Sequence, residues 1–168
     1  MTPDISTHPL ATHYVTTTNQ PVYLLRPSEI KPHEHIDSQY AWRLCRSIRE
    51  FGYFTTPILV DRHGLILLDG HHRYWALSNN IGANRVPAML VDYDDHSLIS
   101  VSSWRDDVVV DQEVVRHAAL SRRLLQPKTS RHILYLEIGE VMIPLTELTR
   151  RVEDSLPARE KLKCLSRT

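Results

Sequence analysis

The chain has 168 residues, 42% of them hydrophobic and 24% charged, which fits one compact domain around a single core. Lysine plus arginine and aspartate plus glutamate stand at 20 each, so the formal net charge is zero; a protein held to DNA mainly by phosphate attraction needs a basic excess, and that class loses support. No apolar run reaches the ~18–20 residues of a membrane-spanning helix, and the polar, Thr-rich stretch Met1–Gln20 has neither the basic start nor the apolar centre of a secretory signal.

Residues 1–20 read as a flexible lead, 21–154 as the folded domain and 155–168 as a charged tail that frays. Pro21–Leu25 is a short strand, and Arg26-Pro27-Ser28 turns it into Ile30-Lys31-Pro32-His33-Glu34-His35. From Ser38 to Phe51 the residues Ala41, Leu44, Cys45, Ile48 and Phe51 recur at helical spacing. Asp37 suits the N-cap of that helix and Gly52 its left-handed stop. Strands over Pro57–Val60 and Leu65–Leu68 flank a turn at Arg62-His63-Gly64. Asp69-Gly70 ends the second strand, and a helix over His71–Asn79 stops before Gly82. Val86–Val91 and Leu98–Ser103 are further strands, and Asp111–Leu125 is a helix with Val114, Val115, Ala118 and Leu125 near one face. Gln126–His132 is a polar loop broken by Pro127, Ile133–Val141 is mixed β material, and Pro144–Val152 is a short helix. Interleaved short strands and helices predict an α+β domain, a small mixed sheet with flanking helices, in preference to a doubly wound sheet.

The two cysteines, Cys45 and Cys164, form no CxxC pair, and Cys45 falls on the apolar face of its helix as a small buried hydrophobe. A reducing cytoplasm is the natural compartment. His8, His13, His63, His96 and His117 read as solvated, and Trp42 and Trp75 as core or interface anchors. His33 and His35 flank Glu34 and either tune it electrostatically or serve the structure. Arg122-Arg123 is a solvated helix end, or else adds positive potential near Lys128–Arg131.

The strongest local signal is Leu67-Leu68-Asp69-Gly70-His71-His72-Arg73-Tyr74-Trp75-Ala76-Leu77. A hydrophobic strand runs into Asp-Gly and a helix opens at once with two histidines and an arginine. Gly70 permits close approach of the backbone to a ligand, and the free N–H groups of a new helix suit a phosphate. His71, His72 and Arg73 add donors, Arg73 as a fork, while Asp69 can hold a metal ion or orient a histidine. A plain strand–turn–helix with surface histidines produces the same string.

The run Asp69–Leu77 resembles the signature of ParB-like nuclease and sulfiredoxin-like domains, and Ile30–Glu34, the helix to Phe51-Gly52 and Pro57–Asp61 match its context over about residues 22–93. Pro127–His132 with Ser102-Ser103-Trp104-Arg105 is similar to the free-serine kinases of this ParB/sulfiredoxin-like superfamily, which convert L-serine to O-phospho-L-serine with ADP or ATP. Sulfiredoxins carry a reactive cysteine where this chain has His71, and without it sulfinate repair has no nucleophile. Chromosome-partitioning members carry a Gly-Glu-Arg-Arg box in place of Gly70-His71-His72-Arg73, followed by a helix-turn-helix domain for which too little chain is expected to follow.

That resemblance implies a cytoplasmic phosphotransfer enzyme, acting on free L-serine or a similar small amino acid. Glu34 would take the proton of the acceptor hydroxyl, and Asp69 would be a second essential acid and the site of Mg2+. Gly70, His71, His72 and Arg73 would cradle the phosphates of ATP or ADP. Trp104, Thr129, Ser130, Arg131 and His132 would hold the amino acid. The chain departs from the pattern at Ser130, where threonine is expected, and at Gln126, where proline is expected; neither change alters charge. The alternative is a nucleotide-binding regulatory or DNA-associated ParB-like module without turnover, whereas a nuclease would ask for more carboxylates than Asp69 alone offers. No membrane and no tight nucleic-acid partner is expected.

Overall fold

The computed structural model describes residues 14–151. The lead up to residue 13, with His8 and His13, and the end of the chain from residue 152, with Cys164, lie outside the described residues. In chain order the elements are β1 (Tyr14–Val15), β2 (Pro21–Leu25), α1 (Ser38–Phe51), β3 (Tyr53–Phe54), β4 (Ile58–Asp61), β5 (Leu67–Asp69), α2 (His71–Trp75), β6 (Val86–Val91), β7 (Ile99–Ser103), α3 (Gln112–Ser121), β8 (Ser130–Leu134), β9 (Ile143–Pro144) and α4 (Leu145–Thr149).

The main sheet has the order β1-β2-β6-β4-β5. Its β6–β4 pair is parallel and its other pairs are antiparallel, so the α+β, mixed-sheet expectation holds. Side chains alternate between its faces with the period of two that a pleated strand imposes. Ile58, Val60, Leu67, Val86, Ala88 and Leu90 enter one core with Phe54, Leu77, Ile143 and Leu148. Leu59, Ile66, Leu68, Met89 and Val91 enter a second core with Tyr93, Ile99 and Val115. Burial on both faces is why β4 and β6 read as unbroken apolar runs. Each of the buried Val, Leu, Ile, Phe and Met side chains stabilises the fold by about 1.5–3 kcal/mol.

In α1 the Asp37 carboxylate accepts from Tyr40 N at 3.0 Å, and Gly52 closes the helix at φ 77°. Ala41 and Cys45 are buried as expected, but Phe51 is 55% exposed and packs edge-on to Tyr53. Trp42 is also exposed and meets Trp75 at the surface, 5.7 Å between ring centroids. α2 runs on as a π-helical segment, Ala76–Ile81, to the expected stop at Gly82.

Several boundaries move. Tyr14–Val15, placed in the flexible lead, pairs with Val22 and Pro21. The helix expected to reach Leu125 ends at Ser121, where Arg122 turns left-handed at φ 58°, and Leu125 forms a bridge with Glu34 instead. The expected loop 126–132 becomes strand from Ser130, paired with β7; Pro127, which has no N–H to donate to a ladder, stands before it. The β material expected over 133–141 shrinks to the last residues of β8, and β9 pairs with β3. Among the described residues no helix is long and apolar enough to cross a membrane.

Candidate active site

The segment 31–35 is strapped down on both sides. Lys31 N donates to Leu65 O and Leu67 N to Lys31 O, both at 2.9 Å; Leu125 N donates to His33 O at 2.8 Å and His35 N to Leu125 O at 2.9 Å. Glu34 is thereby held between β5 and the chain entering β8. Its carboxylate accepts from Lys128 N at 2.5 Å, Ser130 N at 3.0 Å and Ser130 Oγ at 2.7 Å. A carboxylate offers about four lone-pair sites, so roughly one is left for a further donor. The residue expected to be a base is also the staple of the 128–130 turn.

The strand–turn–helix lines the same cleft. Gly70 takes φ 94°, and a Cβ there would come within 2.9 Å of both Arg73 Nη2 and Ile58 Cγ2. Only glycine lets the guanidinium fold back this closely. Arg73 Nη2 donates to Asp69 Oδ2 at 2.9 Å, while Arg73 Nε is buried without a hydrogen-bond partner. Such an orphaned donor costs about 1–3 kcal/mol, which an anionic oxygen in the cleft would offset.

The two histidines do more than line a cradle. His71 Nε2 accepts a long bond from His33 N at 3.4 Å, and His72 Nε2 accepts from Asp37 N at 3.0 Å. Burial lowers the pKa of both, that of His71 to well below the ordinary value. They are therefore neutral near pH 7 with the proton on Nδ1. They clamp the Glu34 segment and the start of α1 to α2; the positive charge on this wall is that of Arg73.

One cleft of about 260 Å³ unites Glu34, Asp69, Gly70, His71, His72, Arg73, Trp104 and Ser130 with Tyr40, Leu44, Leu68 and Lys128. Thr129, Arg131 and His132, expected to touch the amino acid, stand outside its lining. Thr129 is buried with Oγ1 donating to Gln126 O at 2.7 Å. Arg131 lies over the Trp104 ring at 4.4 Å. His132 Nε2 meets Tyr93 OH at 2.9 Å, and burial pushes its pKa down to about 3. The reason is the strand: β8 alternates, turning Arg131 outward between Ser130 and His132. Tyr40 and Lys128 were not placed in the site from sequence. Tyr40 sits in the first turn of α1, edge-on to His72 at 4.8 Å; its signal was the Asp37 cap that fixes that turn.

Among the described residues no cluster of three His, Cys, Asp or Glu side chains is arranged to hold a metal ion. The Asp69 side chain is 57% exposed, and Mg2+ is commonly bound by one or two carboxylates plus substrate phosphates. The residues fit Mg2+ that arrives with a nucleotide, not one caged by protein.

The sequence profile of the ParB N-terminal domain matches residues 7–104. The chain belongs to the ParB N-terminal domain family. Within it, a ParB-like protein of Sulfolobus acidocaldarius is 30% identical over 52% of this chain and 43% of its own length. An ATP-dependent L-serine kinase of Staphylothermus marinus is 31% identical over 51% of this chain and 35% of its own length. For the ADP-dependent L-serine kinase SerK of Thermococcus kodakarensis the figures are 32%, 45% and 32%. This ParB-family chain thus matches less than half the length of each. Among solved structures, a free serine kinase in complex with AMP shares the fold at TM-score 0.71 with 15% identity, covering 80% of this chain and 97% of that one.

Proposed function

We propose that this protein is a cytoplasmic phosphotransferase that moves a phosphoryl group from ATP or ADP to the hydroxyl of free L-serine or a similar small amino acid. The observation that carries the reading is the meeting of two chemistries in one small cleft, the Glu34 carboxylate together with Asp69 and the partly unpaired Arg73 guanidinium. The similarity to L-serine kinases supports it.

Phosphoryl transfer asks mainly for positioning and charge neutralisation. The Arg73 guanidinium and the Gly70 turn receive the donor phosphates, with Lys128 adding positive charge from the Glu34 side. Mg2+, held by Asp69 and those phosphates, would neutralise their charge. The acceptor hydroxyl takes the remaining site on the Glu34 carboxylate, which removes its proton as the new O–P bond forms. Trp104, braced by Arg131, walls the acceptor side, so Arg131 acts through the indole and not on a substrate carboxylate.

The test is incubation of the full chain with Mg2+, ATP or ADP and a panel of free amino acids, read by ³¹P NMR and mass spectrometry. O-phosphoserine is the expected product. No phosphoamino acid with either donor, from protein shown to be folded, would refute the reading. Sequence-dependent duplex binding at physiological salt would then favour the DNA-associated module.

A further inference from the structure

Behind Glu34 lies a chain of polar atoms with one proton too few. Leu67 O is 2.6 Å from His33 Nδ1; a carbonyl only accepts, so Nδ1 carries hydrogen. In the neutral ring Nε2 is then an acceptor, and it lies 2.8 Å from Ser130 Oγ. The same Oγ is 2.7 Å from Glu34 Oε2. With Glu34 ionised, the single hydroxyl hydrogen of Ser130 faces an acceptor on each side. One added proton satisfies every contact, either on Glu34 or on His33 Nε2.

His33 is fully buried, and a buried polar group is normally paired on each ring nitrogen. Its surroundings also decide where charge can rest. From its own segment Glu34 faces it; from α2 His71 lies 4.5 Å away between centroids, and from β8 His132 lies 5.4 Å away. Tyr93 is bonded to His132, and His72, Arg73 and Lys128 line the same cleft as Glu34. Burial lowers the pKa of His33, opposed by the Leu67 carbonyl and by Glu34. The ring is thus neutral at rest and has an anion in place to support a brief positive charge.

We propose that Ser130 and His33 form a proton relay behind Glu34, sharing the proton that Glu34 takes from the acceptor hydroxyl. This rests on the phosphotransfer reading. The acceptor O–H breaks as its oxygen bonds to phosphorus, and the proton passes to Glu34. The proton arrives on Oε1, because Ser130 N and Oγ occupy Oε2; a half-turn of the protonated carboxyl group brings it to Ser130 Oγ, and the original Ser130 hydrogen moves to His33 Nε2. The net change is one O–H lost at the acceptor and one N–H gained at His33, returned to solvent when product leaves. Ser130 and His33 act through Glu34 and touch no substrate. A hydroxyl is all that position 130 must supply, so threonine serves equally there.

Two measurements test it. In the full chain labelled with ¹⁵N at histidine, His33 should be neutral at pH 7 with hydrogen on Nδ1, and Ser130→Ala should shift its Nε2 resonance to that of an unbonded nitrogen. In the phosphotransfer assay Ser130→Ala should lower kcat by ~10-fold or more, below the ~10²–10⁴ of a lost base, with nucleotide KM nearly unchanged, and Ser130→Thr should restore it. Hydrogen on Nε2 in the parent, unchanged His33 resonances in Ser130→Ala, or a threonine variant as slow as the alanine one would overturn the relay. If the parent transfers no phosphoryl group at all, the kinase reading falls, and the ¹⁵N spectra alone decide whether the proton chain exists.

Discussion

Replacing His132 by glutamine should flatten the acid side of the stability curve. His132 is held neutral by burial, its pKa moved from 6.5 to about 3. The unfolded chain binds a proton there as pH falls through about 6.5, whereas the folded chain does not, so stability is complete above that value and declines steadily towards pH 3. At about 1.4 kcal/mol per pH unit, moving from pH 7 to pH 5 removes about 2 kcal/mol through this one residue. For a chain of this size that corresponds to a Tm lowered by about 4–8 °C. His33 and His71 have lowered pKa values for the same reason and steepen the parent's slope, so the informative quantity is the difference between parent and variant. Glutamine can still bond to the Tyr93 hydroxyl but does not titrate. Urea unfolding followed by circular dichroism at both pH values gives the comparison. His132→Gln should begin less stable at pH 7 and lose about 2 kcal/mol less on acidification. Equal losses in the two proteins would refute the claim that His132 is neutral in the fold.

Glu34→Gln should lower turnover by ~10²–10⁴ and also lower the melting temperature, because the amide N–H must face either Lys128 N or Ser130 N, donor against donor. Turnover within a few-fold of the parent would move the base role to Asp69. Arg73→Ala should weaken nucleotide binding about tenfold to a hundredfold, the loss of a charge-assisted bond; calorimetry showing equal affinity would put Arg73 outside the phosphate site. Gly70→Ala forces φ 94° on an L-residue and drives its Cβ to 2.9 Å from Ile58 Cγ2. The urea midpoint should fall by the equivalent of about 1–2 kcal/mol or more, and an unchanged midpoint would contradict the close approach at that turn.

The elements most legible in the sequence were those whose signals are local. The Asp37 cap and Gly52 stop bracket α1, and the Asp69-Gly70 turn into α2 follows from residue types alone. The sheet's central strands were visible as apolar runs, but not the division of alternate residues between two cores. What escaped depended on contacts between distant parts of the chain. Leu125 continues the apolar spacing of α3, yet its backbone pairs with residues 33 and 35, and that pairing competes with helix only once the fold exists. β8 was obscured by Pro127 and by a polar sequence, since its ladder partner lies in β7. Glu34 and Asp69–Arg73, singled out from their motifs, line one cleft. The outward turn of Arg131 onto Trp104 was not legible, because a strand's alternation is invisible in a stretch taken for loop. The bond partners of His71, His72 and His33 lie far off in sequence, so whether each ring nitrogen donates or accepts was beyond any local rule.

The staple between Glu34 and the 128–130 turn joins stretches more than ninety positions apart. The profile match ends at Trp104, whereas Lys128 and Ser130 lie beyond it. On the proposed reading, one carboxylate ties the phosphate-side residues Asp69–Arg73 to the turn that closes the acceptor side. Drift or exchange in the β7–β8 ribbon can therefore redraw which small molecule is admitted while Asp69–Arg73 stays as it is. Such changes leave the main sheet of this chain as it is, provided that Glu34 still finds its three donors.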